Sequence, residues 1–74
     1  MTIDNVKLIN EEYKKKMEEE NYEVDLTMDI YSCTNEILIW YNRIGTDADT
    51  CTGGEATRRF ENGMRELETL MGKN

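Results

Sequence analysis

The stretch from Tyr22 to Ser32 alternates almost without fault. Tyr22, Val24, Leu26, Met28 and Ile30 occupy one set of positions, and Glu23, Asp25, Thr27, Asp29 and Tyr31 the other. Period two places successive side chains on opposite faces of a pleated backbone, so the pattern predicts a half-buried antiparallel strand over 22–32. Cys33-Thr34-Asn35-Glu36 then reads as a turn, and Glu36 to Ile44, rich in β-branched and aromatic residues, as a second strand.

A hairpin centred on Thr34-Asn35 would set Ile30 opposite Ile39 and Met28 opposite Tyr41 on one face. Tyr31 would then meet Leu38, and Asp29 would meet Trp40, on the other. In either register the second strand is apolar on both sides, which leaves Leu38, Trp40 and Ile44 in need of a cover. A two-stranded sheet also has two open edges, and these favour strand pairing between copies.

The flanks carry helical periodicity. Ile3, Val6, Ile9, Tyr13 and Met17 recur at spacings of three and four, with Thr2 placed as N-cap, so a helix is expected from Ile3 to about Glu20. A second amphipathic helix is expected over Glu55 to Met71, with Ala56, Phe60, Met64, Leu67 and Met71 or Leu70 on its apolar face and Gly72 as its C′ stop. Gly63 sits inside that helix beside the apolar face, where it implies close backbone packing. The predicted architecture is a small α+β domain over residues 1–74. Its order is helix-strand-strand-helix, an antiparallel β-hairpin packed against two amphipathic helices.

The charge is concentrated. Between Met17 and Asn42 lie seven carboxylates (Glu18, Glu19, Glu20, Glu23, Asp25, Asp29, Glu36) and no Lys or Arg, while the rest of the chain holds nine acids against nine bases. The net charge of −7 is therefore local. Such a surface attracts basic partners and repels phosphates, which disfavours direct nucleic-acid binding by this chain. No apolar run has the length of a membrane span or a signal-peptide core, and with two Cys the expectation is a cytoplasmic protein with free thiols.

Little catalytic chemistry is available. The chain has no His, which removes Ser-His and Cys-His nucleophile pairs, and two Cys alone do not close a zinc site. Asp47, Asp49 and Glu55 resemble a cation loop only loosely, since Cys51, Thr52 and Arg58 stand where an EF-hand needs an acid or Asn, a Gly and a Glu. Thr52-Gly53-Gly54 before a helix bearing Arg58 and Arg59 could hold an anion, but no Gly-Lys-Ser/Thr follows. The reading is a non-enzyme with no cofactor and no metal.

In size and charge the chain looks like the short acidic inhibitors carried by phages and mobile elements, anti-CRISPR proteins and nucleic-acid mimics among them. That likeness implies an inhibitor or adaptor docked on a basic, nucleic-acid-binding protein. Glu19, Glu20, Glu23, Asp25 and Asp29 would supply the electrostatic surface, with Tyr31 and Trp40 as aromatic anchors. The alternative is a homodimeric structural or regulatory module assembled through the second strand, with the acids only solubilising it.

Overall fold

Residues 24–43 form one continuous helix. The computed structural model describes residues 2–19 and 24–72, and among these there is no strand. The elements are α1 (Ile3–Glu18), α2 (Val24–Arg43), a single-turn α3 (Asp47–Thr50) and α4 (Glu55–Met71). The hairpin expected over 22–44 is thus replaced by α2, and the α+β class by an all-α one. The expected turn at Cys33–Glu36 lies in mid-helix, where Thr34 is fully buried.

The physical reason lies in four residues. Buried positions on α2 include Thr27, Ile30, Thr34 and Ile37, a run at spacings of three and four that forms one helical stripe. Two of these are threonines, so a hydropathy reading misses them. Conversely, Met28 and Ile39 are apolar yet remain 45% and 46% exposed. Two residues of helix turn the chain by about 200°, so Met28 points away from the core to which Ile30 belongs. Polar residues inside and apolar residues outside together shift an apparent period from 3.6 towards two.

The two-sided apolar character of residues 36–44 has a different origin. Both α1 and α4 pack against α2, and they do not approach one another closely. A central helix must cover two neighbours, so its apolar arc is wide. Val6 and Tyr13 from α1, Ile30, Cys33 and Ile37 from α2, and Leu67 from α4 make the core, with Ile3, Ile9, Leu38, Phe60 and Met64 packed around it. On the α1 side the Asn10 amide donates to Thr34 Oγ1 at 2.8 Å and to Asn35 Oδ1 at 2.9 Å. Thr34 in turn donates to the Tyr31 carbonyl at 2.9 Å, so the buried hydroxyl is satisfied.

On the α4 side the helices run antiparallel, with Tyr41 beside Phe60 at the end where α4 begins (ring centroids 5.5 Å apart). Gly63 allows the approach. A Cβ there would lie 2.7 Å from Ile37 Cγ1. The close packing expected of this glycine is therefore real, although its partner is a helix rather than a sheet.

The flanking helices match their periodicity. Thr2 Oγ1 accepts from the Asn5 N–H at 3.3 Å, and α4 buries Ala56 and Leu67 as expected. Gly72 closes α4 in a right-handed conformation, so its left-handed freedom is not used. The molecule is elongated, 43 × 21 × 19 Å, with a radius of gyration of 13.2 Å against about 11 Å for a round domain of this length. No helix among the described residues is long and apolar enough to cross a membrane.

Gly63→Ala tests the α2–α4 contact. Alanine gains about 1 kcal/mol of helix propensity, but overpacking a fixed β-branched neighbour costs about 1–3 kcal/mol. The expected outcome is a net loss of up to about 2 kcal/mol in urea unfolding. Ile37→Ala in the same chain should relieve the clash, so that the double variant loses less than the two single losses combined.

Candidate functional site

Helical spacing keeps Asp25, Asp29 and Trp40 together, as the strand reading did, and adds Glu36 to them. Asp25, Asp29 and Glu36 stand four and seven residues apart, with Trp40 four further on, so all lie on one edge of α2. That edge faces α4. Asp29, Ser32, Cys33 and Glu36 from α2 and Gly63, Glu66 and Leu70 from α4 line an open groove. It continues past Glu36 and Glu66 to Trp40, Arg59 and Asn62. Gly63 forms part of its floor because it has no side chain to fill it.

Asp29 and Glu36 stand on one wall and Glu66 on the other, all exposed. Their field is felt at Cys33. Burial pushes the Cys33 thiol up to about 11, and the negative charges of Glu66 and Glu36 push in the same direction. Its S–H donates to the Gly63 carbonyl at 3.4 Å. Cys33 is thus a neutral, buried thiol at pH 7 and a poor nucleophile. Cys51 is also free, and exposed.

The far end of the groove is basic and aromatic. Trp40 Nε1 donates to Glu36 Oε2 at 3.1 Å. The guanidinium groups of Arg43 and Arg59 lie 4.7 and 4.9 Å from its ring centroid, within cation–π range. Arg59 also pairs with Glu55 at 2.9 Å. The aromatic anchor is therefore already in contact with two cations of its own chain.

The structure brings together only part of the expected site. Asp25, Asp29 and Trp40 share the groove edge of α2. Tyr31 does not, since nine residues of helix carry it about 180° from Trp40, and it packs against the core instead. Glu19 is the C-cap of α1, on a different element. Glu20 and Glu23 lie outside the described residues. The sequence reading missed Glu66 and the two arginines at Trp40. It counted Glu36 in the acidic run but did not place it at the site. A 3.6-residue period over 25–40 would have joined Glu36 to Asp29 and Trp40, whereas nothing local marks Glu66.

The loop between α2 and α4 also has a defined role. Asp49 is buried, and its carboxylate accepts from the Gly45 N–H at 3.1 Å and the Thr57 N–H at 3.1 Å, with the Thr57 hydroxyl at 3.2 Å. The Gly54 N–H donates to the Asp49 carbonyl at 2.8 Å. Gly54, at φ 89°, is the N-cap of α4 but has no side chain with which to cap it. Asp49 does so from α3, placing a negative charge at the positive end of the α4 dipole.

This arrangement bears on the two disfavoured alternatives for the loop, an anion site and a cation site. The position an anion would take at the start of α4 is held by the chain's own carboxylate. The carboxylate that a cation would need is committed to N–H donors, and no group of three or more candidate ligands clusters among the described residues.

The sequence matches no protein-family model, no curated protein and no solved structure. Function must therefore be argued from the site's own chemistry.

The N–H donors of Gly45 and then Thr57 hold the Asp49 carboxyl below the usual carboxylate range. A group whose folded pKa is depressed contributes stability above its unfolded pKa of about 3.9, and that contribution is lost as pH falls through the folded value. Asp49→Asn is expected to lower the melting temperature at pH 7. It should also flatten the loss of stability that the wild type is expected to show below about pH 4, as read by thermal unfolding across a pH series.

Proposed function

We propose that this chain is a non-enzymatic inhibitor or adaptor whose α2–α4 groove docks a basic segment of a nucleic-acid-binding protein. The observation that carries the reading is the placement of Asp29 and Glu36 opposite Glu66 along the two walls of one groove, with Asp25 about one helical turn before Asp29. The arginines join only at the Trp40 end.

Carboxylates on facing walls suit Lys and Arg side chains, and they stand where such a partner would otherwise meet phosphates. Trp40 would contribute residence by accepting a partner guanidinium in place of Arg43 or Arg59. The same field opposes direct contact with nucleic acid. Two free thiols suit a reducing, cytoplasmic setting. The homodimer that relied on pairing of a second strand has no strand to use.

The test compares two charge reversals of equal size. Asp29→Lys with Glu36→Lys alters the groove, whereas Glu61→Lys with Glu68→Lys alters exposed positions on α4 outside the groove lining. Affinity for an arginine-rich nucleic-acid-binding domain, measured by calorimetry at physiological salt, should fall by more than about tenfold for the first pair, or over 1.4 kcal/mol. The second pair should have a much smaller effect. Equal losses would mean that net charge alone drives the association, and the groove would not be the site.

A further inference from the structure

The side of α2 opposite the core carries a second pattern, bordered by the groove edge at Asp25 and Ser32 and by α1 at Asn35. Asp25, Met28, Ser32, Asn35, Ile39 and Asn42 follow one another at spacings of three, four, three, four and three. That is the a/d spacing of a coiled-coil seam sustained over five turns of helix. Met28 and Ile39 are its apolar members and are 45% and 46% exposed. They are separated along the helix by about 16 Å. The centre is polar, with Ser32 exposed and Asn35 held through its carbonyl oxygen by the Asn10 amide.

The seam is palindromic. Reversed about a two-fold axis at the level of Cys33 and Thr34, Met28 falls on Ile39, Ser32 on Asn35 and Asp25 on Asn42. The reversal also brings Asp25, on the acidic half of α2, beside Arg43, the one basic residue of that helix. A parallel pairing would instead stack Asp25 on its own copy. Self-complementarity of this kind is what an isologous interface requires.

We infer that α2 pairs antiparallel with α2 of a second copy of this chain. Met28 of each copy packs on Ile39 of the other, in two apolar layers that flank a polar centre. There the Asn35 amide nitrogen donates to Ser32 Oγ of the second copy, and polar residues at such positions fix register at some cost in stability. Asp25 pairs with Arg43 of the second copy at each end. With only two apolar layers the association is weak and concentration-dependent. It does not depend on the groove having a partner.

Sedimentation equilibrium of the full chain alone, over a concentration series reaching the millimolar range, tests the inference. The wild type should show a monomer–dimer equilibrium. Ile39→Asp should weaken it at least about tenfold, with far-UV circular dichroism unchanged because the side chain is exposed. Leu8→Asp, at an apolar site on α1 that is 64% exposed and outside the seam, should leave it unaltered. Asp25→Arg should weaken the dimer, and adding Arg43→Asp should restore it. A wild type that is monomeric at every concentration overturns the inference, as does a dimer indifferent to Ile39→Asp. Failure of the charge swap to restore association overturns the antiparallel register.

Discussion

The groove between α2 and α4 depends on the contact between Ile37 and the bare backbone at Gly63. A glycine in mid-helix costs about 1 kcal/mol relative to alanine. Here it lets α4 lie close enough to α2 for the Cys33 thiol to reach the Gly63 carbonyl. The same closeness sets Glu66 across the groove from Asp29 and Glu36 and brings Arg59 over the Trp40 ring. With a larger residue at 63 the two helices would separate, and the facing carboxylates would become two unrelated solvated edges.

How much of this was legible depended on how many sides each helix buries. The helices α1 and α4 each present one apolar face, so the stripe Ile3, Val6, Ile9, Tyr13 and Met17 and the stripe Ala56, Phe60, Met64 and Leu67 could be read directly from spacing. Between two neighbours, α2 has no single polar face, and Thr27 and Thr34 inside with Met28 and Ile39 outside blurred its period further. Thr34 is tolerated in the core because Asn10 and the Tyr31 carbonyl satisfy its hydroxyl. That compensation comes from another helix and from the turn before it, and local pattern does not record it. Misreading α2 placed Tyr31 beside Trp40, whereas the helix puts them on opposite sides. The cap that Asp49 supplies to α4 was equally hidden, since it links residues eight apart through a one-turn helix.

The charge of the chain is less uniform in space than in sequence. Of the described acids in the central third, Glu18 and Glu19 stand at the end of α1 and Asp25, Asp29 and Glu36 on one edge of α2, and only the latter edge gains a counterpart from α4. This division turns a solubilising run into a walled surface, and it makes Glu66, which lies outside the acidic third, part of the site. Beside that edge α2 bears a regular seam with few charges, and Asp25 and Ser32 stand on the border between the two.

The groove and the seam both require that residues 24–43 form one unbroken helix. The most direct measurement is the set of 13Cα secondary chemical shifts of the full chain in solution. The account predicts positive values from Val24 through Arg43 without interruption, including Cys33 to Glu36. Negative values over 24–32 and again over 36–43, separated by turn-like values at Thr34 and Asn35, would restore the hairpin. They would also remove the groove and the seam together.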